Sequence, residues 1–480
     1  MSRRRTVAVL GAVALCASLL TSCSGTHASM GRPAATVPAR SAPRSSGTAP
    51  STAAAGLSAF YGVNFDLAGF ATFAHGEVAP LIGALDPSTV RWPGGTEADF
   101  YDWHSGKDTE RANAVPFTLS ELANVCQATG AVPIFDLNVL AEANRTDPTD
   151  QIAMLQAAQG LGLPVKYVEI GNELYSDAPG VPQAFPDGSA YARTVSIYVQ
   201  ALHRTFPGVQ VAADAIPFPE DQREQSWDRQ VLAGTAGAGA PDAWVVHFYP
   251  GLYQNPFTSA DAPVLFASVY AAIEELRQAV ASLGGKPVWL TEYNMRGPYQ
   301  LFRRAGESPS EGDFAHELYL AAFASMLPNV PDLTLADNWT ALADGFYGAW
   351  QDPAAPYLTP GGQAVEMVDA AGRGGVSAAP VSVPGAPKLP GGEPGVVGEQ
   401  FVRPGATSSA VVTNLTGQAV AVALSTGSWL GAGRRYQQVA GDPTAPEMVA
   451  AAPTTGVIGA EGLMLPPYSV TVVGATLAAR

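Results

Sequence analysis

Two short apolar runs end in glutamate: Val168-Glu-Ile-Gly-Asn-Glu173 and Val288-Trp-Leu-Thr-Glu292. Continuous apolar runs of this length suit parallel strands covered on both faces. A carboxylate placed as such a run ends stands at the carboxyl edge of the sheet, where α/β barrels carry their chemistry. Two carboxyls converging there could break a sugar acetal. That reaction needs a proton for the leaving oxygen and negative charge beside the anomeric carbon. A partly desolvated carboxyl stays protonated and serves as the acid, while a hydrogen-bonded one stays ionised. A separation of about 5–5.5 Å would mean retention through a covalent intermediate, and spacing along the chain does not set that distance.

The elements that must position the pair follow from the same patterning. Eight candidate strands recur: Phe60–Phe65, Thr89–Trp92, Val132–Leu137, Lys166–Ile170, Val209–Ala213, Trp244–Phe248, Pro287–Thr291 and Leu333–Ala336. Helical stretches lie between them. Val195, Val199, Leu202 and Phe206 share one face, as do Phe266, Val269, Ile273, Leu276 and Val280; the second helix stops at Gly284-Gly285 before Pro287. Eight strands alternating with helices predict an α/β fold, a closed (β/α)8 TIM barrel. No Gly-x-Gly-x-x-Gly follows the first strand, which counts against a nucleotide-binding sheet. Past about Ala370 the helical pattern gives way to a Pro/Gly-rich stretch and short alternating runs such as Ala419-Val-Ala-Val-Ala-Leu and Ser469-Val-Thr-Val-Val. These predict a C-terminal antiparallel β-sandwich. The expected organisation is a signal peptide at 1–23, a Ser/Ala/Pro/Thr tether at 24–55, the barrel at 56–372 and the sandwich at 373–480.

Composition narrows the partners. The chain of 480 residues carries a formal charge of −16, and removing the first 22, which hold three arginines and no acid, deepens it to −19. Such a surface repels nucleic acid phosphates. Arg3-Arg4-Arg5, the apolar run Val7–Leu20 and Leu20-Thr-Ser-Cys23 form an export signal. The segment resembles a bacterial lipoprotein signal, which implies acylation of Cys23 and anchoring at the outer face of the plasma membrane. The alternative is an ordinary secretory signal with a chance cysteine. The tether buries too little to fold and would reach on the order of 100 Å when extended. Of three cysteines only Cys126 falls within the barrel, so no internal disulfide is expected, and its helical spacing with Leu119 and Leu122 makes it a core thiol. His-Glu-x-x-His, Cys-x-x-Cys and Gly-x-Ser-x-Gly are lacking, so neither a catalytic metal, a cofactor nor a serine triad is expected.

Several segments together resemble the clan of retaining (β/α)8 glycoside hydrolases: Gly171-Asn172-Glu173 at the fourth strand, Thr291-Glu292-Tyr293-Asn294 at the seventh, His247-Phe-Tyr249 after the sixth and Trp339 after the eighth. The resemblance implies that Glu173 is acid/base, Glu292 the nucleophile, Asn172 a contact of the sugar 2-hydroxyl, Tyr249 a donor to the nucleophile and Trp339 a sugar platform. Arg91-Trp-Pro-Gly-Gly-Thr96-Glu-Ala-Asp99-Phe100 is similar to a motif of heparanase-like β-glucuronidases, the family favoured by this reading. The same segment, read on to Tyr101-Asp-Trp103, resembles α-L-arabinofuranosidases, the second choice. In the first family a loop after the nucleophile holds the uronate; Met295-Arg-Gly-Pro-Tyr299 matches it in part, which makes Tyr299 a candidate and leaves Arg296 as either a carboxylate partner or a loop charge.

Other residues are read both ways. Asp66, Asp136 and Asn138 stand near strand ends, where they could bind sugar hydroxyls or cap the next helix. His247 is a site member or a satisfied core histidine. Glu169 shares strand parity with Glu173 and is expected to be a paired structural carboxylate. The expected substrate is an oligo- or polysaccharide outside the cell. A sugar-binding lipoprotein on a barrel without turnover is the rival from another class.

Overall fold

The computed structural model describes residues 57–66, 73–110, 115–219, 221–251, 258–296, 313–343, 347–403, 405, 407–445 and 449–478. The expected signal peptide and tether, Cys23 and Tyr299 lie outside these residues. Eight parallel strands close a barrel in the order β1-β8-β7-β6-β5-β4-β3-β2: β1 (Tyr61–Asn64), β2 (Thr89–Trp92), β3 (Val132–Asp136), β4 (Tyr167–Glu169), β5 (Gln210–Asp214), β6 (Ala243–Phe248), β7 (Val288–Tyr293) and β8 (Leu333–Asn338). Each is followed by a helix: α1 (His75–Ala84), α2 (Leu119–Thr129), α3 (Thr149–Gly160), α4 (Gly188–Thr205), α5 (Glu224–Gly234), α6 (Ala262–Ser282), α7 (Asp313–Met326) and α8 (Pro360–Gly372). This is the (β/α)8 fold the alternation predicts.

Inside the barrel, side chains stack in layers set by the period of two along each strand. Ile134, Tyr167, Ala212, Val245, Trp289 and Leu335 form an apolar floor. Two residues further on, the same inward parity carries Asp136, Glu169, Asp214, His247 and Asp337, all buried. The barrel is therefore dry at its base and polar towards its mouth. On the outer layer, a capping box of Thr118 and Glu121 opens α2, and Cys126 is buried with its thiol pushed up to about 12. Burial makes it a packing residue with little thiolate.

Beyond the barrel, an antiparallel sheet runs in the order β9-β10-β11-β14-β12-β13: β9 (Ser377–Pro380), β10 (Val396–Val402), β11 (Ser409–Asn414), β12 (Arg435–Ala440), β13 (Thr454–Val457) and β14 (Ser469–Val473). A second layer of two strands, Val420–Val422 and Leu463–Leu465, completes the sandwich. Alternation again divides the strands between two cores. Ala410, Val412 and Val473 face the small core with Trp429, whereas Val411, Val470 and Val472 join the large one. That second face lies on α7 and α8.

Glu399 on β10 is fully buried beside this contact; its Oε2 accepts from Asn329 Nδ2 at 2.7 Å and its Oε1 has no partner among the described residues. Burial, only partly opposed by Asn329, pushes its carboxyl up to about 8 from an ordinary 4.5. The folded state then holds a proton that the unfolded chain releases, so stability falls as pH rises from about 4.5 to about 8. Thermal melting across that window is expected to show the decline, and Glu399→Gln to flatten it; an unchanged slope in the variant would remove Glu399 as a cause.

Candidate active site

Arg91 organises the mouth. It sits within β2, fully buried, and an unpaired guanidinium there would be prohibitive. Its Nε donates to Glu169 Oε2 at 2.6 Å. One terminal nitrogen donates to Glu292 Oε1 at 2.8 Å and Asn64 Oδ1 at 3.1 Å, the other to Asp136 Oδ2 at 2.8 Å and Asn172 Oδ1 at 2.9 Å. One planar fork thus ties β1, β3, β4, β7 and the turn after β4 to β2.

Glu292 ends the inward run of β7. Opposite it, β6 pairs Val246 with Leu290 but His247 with Glu292, skipping Thr291. This irregularity brings His247 and Glu292 side by side. Glu292 Oε2 accepts from Tyr249 Oη at 2.6 Å, so each of its oxygens holds a donor.

Glu173 stands past β4, where the chain turns through left-handed backbone at Gly171 (φ 82°) and again at Glu173 itself (φ 46°). For a non-glycine residue that conformation costs on the order of 1 kcal/mol or more and must be imposed by its surroundings. Asp99 Oδ1 accepts from Asn172 N at 3.3 Å, and Asp214 Oδ2 from Leu174 N at 3.1 Å. Arg223 then clamps the loop, donating to the carbonyls of Tyr175 and, at 2.7–2.8 Å, of Leu174, Ser176 and Phe185. Glu173 Oε1 meets His247 Nδ1 at 2.8 Å, and the Tyr175 hydroxyl also donates to this carboxylate. Burial raises the Glu173 carboxyl, but the hydrogen bond and charge of His247 outweigh it, and the group lies below the usual carboxylate value. The sequence expectation of a protonated, desolvated acid is corrected here: its side chain is 34% exposed and surrounded by donors, which favour the ionised form.

The two carboxylates meet. One oxygen of Glu173, one of Glu292 and a ring nitrogen of His247 lie within 4.8 Å of one another. A trio of this kind has the spacing of a metal site, but its atoms are already matched to donors and a guanidinium stands against Glu292. That chemistry suits proton sharing better than a divalent cation.

The other expected site residues divide. Tyr249 donates to Glu292 as the resemblance implies. Asn172 gives its oxygen to Arg91 and leaves Nδ2 without a protein partner among the described residues. Trp339 lies half-buried past β8, its N bonded to Tyr293 O at 3.0 Å. His247, read as a site member or a satisfied core histidine, has both ring nitrogens engaged by protein, Nδ1 with Glu173 and Nε2 with Thr291 Oγ1 at 3.3 Å. Of the two readings of Asn138, these bonds fit the local one: its amide donates to Tyr101 O and accepts from Ala141 N, fixing the turn. Asp66 follows β1, half-buried, and is not joined to the carboxylate pair by any of these bonds. Glu169 and Asp136 are carboxylate partners of Arg91. Tyr175 and the hub role of Arg91 escaped the sequence reading, although a lone arginine inside the buried strand Thr-Val-Arg-Trp was a signal that carboxylates must surround it.

No protein-family model matches the chain, and no curated protein matches it in sequence. Solved structures do match its fold. An α-L-arabinofuranosidase from Thermotoga maritima, in complex with arabinose, is 18% identical with a TM-score of 0.60, covering 88% of this chain and 98% of that one. A family 51 α-L-arabinofuranosidase from Bifidobacterium longum is 14% identical with a TM-score of 0.64, over 88% and 96%. A 4-O-α-L-rhamnosyl-β-D-glucuronidase from Fusarium oxysporum is 14% identical with a TM-score of 0.57, over 88% and 98%. At this identity the likeness is one of fold, barrel and sandwich together.

Proposed function

We propose that the chain is a retaining glycoside hydrolase that removes α-L-arabinofuranosyl units from an extracellular oligo- or polysaccharide. The observation that carries the reading is the approach of one Glu173 and one Glu292 oxygen to within 4.8 Å, which lets both carboxylates reach one anomeric centre. Glu292, aligned by Arg91 and Tyr249, attacks the anomeric carbon and forms a glycosyl ester. Glu173 protonates the departing oxygen, then deprotonates the water that cleaves the ester. A sugar seated over Glu173 displaces the water at its exposed edge, and that desolvation raises its carboxyl towards the proton-bearing form. Asn172 Nδ2 is available to the 2-hydroxyl.

The choice of a neutral sugar rests on Arg91. Its nitrogens are committed to Glu169, Asp136, Glu292, Asn64 and Asn172, so the guanidinium at the pair has no donor to spare for a uronate. A uronate beside Glu173 and Glu292 would also meet like charge. Arabinofuranosidases recur among the structures of like fold. The β-glucuronidase reading favoured by the Arg91–Phe100 motif is kept second, supported by the fungal glucuronidase. Export, with a lipid on Cys23, is proposed from the N-terminal sequence alone.

Aryl α-L-arabinofuranoside, β-D-glucuronide and β-D-xyloside compared in one plate test the reading. Release from the arabinofuranoside is expected; release from the glucuronide alone would overturn the sugar assignment, and binding without release would favour the sugar-capture protein. Glu173→Gln is expected to slow substrates with poor leaving groups at least about 100-fold more than activated aryl ones, because only the former need the proton. Equal losses would count against its acid role.

A further inference from the structure

Trp339 is met at two points, its ring edge and its main-chain carbonyl. Gly95, just past β2, has left-handed backbone (φ +60°), and a Cβ built on it would lie 2.2 Å from Cη2, 2.8 Å from Cζ3 and 3.2 Å from Cζ2 of the Trp339 ring. The benzo edge of the indole therefore occupies the space of a missing side chain. The preceding Gly94 (φ +76°) likewise runs against β1, where a Cβ would lie 2.1 Å from the carbonyl oxygen of Phe65. The two glycines lay the loop after β2 across the end of β1 and onto the residue that follows β8. At the main chain, Asn294, two residues beyond Glu292, donates Nδ2 to the Trp339 carbonyl at 2.5 Å. Its Oδ1 is fixed by Met295 N and by His316 Nε2 of α7, both at 2.7 Å.

We infer that Gly95 is a specificity-determining positioning residue: its missing side chain sets the depth at which Trp339 presents its ring, and hence the room for a sugar ring above Glu292. This rests on the glycosidase reading for its ligand, a sugar offering an apolar C–H face to an aromatic ring. Nothing larger than hydrogen at position 95 leaves the indole where it is. The Asn294 bond holds the Trp339 main chain in place, so a clash at Gly95 is relieved by turning the indole about its side-chain torsions. The residue touches no reacting atom and acts through Trp339.

A double-mutant cycle of Gly95→Ala and Trp339→Phe separates this role from backbone strain. Phenylalanine lacks the atoms that alanine would strike, while the strain of a left-handed alanine is the same in both backgrounds. In the Trp339 background Gly95→Ala is expected to lower kcat/KM about 30-fold, chiefly through KM, with an aryl glycoside; in the Trp339→Phe background the further loss should stay below about 3-fold. Equal losses in both backgrounds would overturn the proposal, as would a loss confined to kcat. The same cycle read by thermal melting needs no substrate. Coupling between the two positions there supports the seat even if the wild type releases no aryl group, an outcome that would sink the glycosidase reading alone. Additive melting shifts would refute the contact itself, and the double variant, freed of the clash, keeps the test open if Gly95→Ala folds poorly.

Discussion

Glu292→Gln is expected to lower turnover of an activated aryl glycoside by at least about four orders of magnitude while the protein stays folded. The amide preserves shape and can satisfy both neighbours: its oxygen accepts from Arg91, and its nitrogen can donate to the Tyr249 hydroxyl in place of accepting from it. What it cannot supply is a nucleophilic oxygen or negative charge beside the anomeric carbon. Because an activated leaving group departs without a proton, the loss isolates the attacking carboxylate from the acid. Stopped assays with the aryl arabinofuranoside, paired with circular dichroism melting, check the claim. The melting midpoint should move by only a few degrees, since Arg91 keeps an acceptor at this position and the Tyr249 oxygen keeps a partner. Rates near wild type would remove Glu292 from the mechanism, and a collapsed fold would show that its charge matters more to Arg91 than to chemistry.

How much of this could be read from the residues depends on which interactions are local. Strand runs such as Val288-Trp-Leu-Thr announce themselves because both faces are covered, so the barrel was legible. Parity along a strand also placed Glu169 correctly, since alternate residues must share a face. The register of β6 against β7 was not legible: the skip at Thr291 that sets His247 beside Glu292 arises between chains of side-chain contacts far apart in sequence. For the same reason the residues alone left His247 between site and core, and Asn138 between sugar and cap; the bonds to Glu173 and to Ala141 N arise only in the folded chain. Arg91 shows the limit most clearly. A charge in a buried strand demands partners, but their identity, drawn from five other segments, is decided only by closure. The motif leaves the choice between the two families open for a different reason. Arg91, Gly94 and Gly95 belong to the architecture of the mouth, so the motif they form speaks for how the barrel is capped more than for which sugar enters.

Replacing Arg91 with methionine is expected to destabilise the protein by about 3–5 kcal/mol at neutral pH, a larger effect on folding than that of the substitutions above. The side chain is fully buried; burial opposes its charge, and Glu169, Asp136 and Glu292 outweigh that opposition. Methionine fills similar volume but leaves those carboxylates without their cation. Asp136 Oδ1 and Glu169 Oε1 have no hydrogen-bond partner among the described residues even with Arg91 present, so a proton is the remaining means of relief. Asp136 is already raised by its burial, and without Arg91 it would rise further. A carboxyl raised on folding contributes stability that is kept below its unfolded value and lost as pH climbs through the folded one. The gap between wild type and Arg91→Met should therefore narrow as the pH is lowered from neutral towards about 4, where free carboxyls titrate. Chemical denaturation at several pH values measures it. A gap that stays constant with pH would mean that shape, not charge, is what Arg91 provides, and the picture of one guanidinium holding the carboxylates of the mouth would have to be abandoned. Arg91→Lys makes the complementary point: a single ammonium keeps the charge but cannot reach three carboxylates and two amides at once, so it should recover part of the stability and little of the turnover.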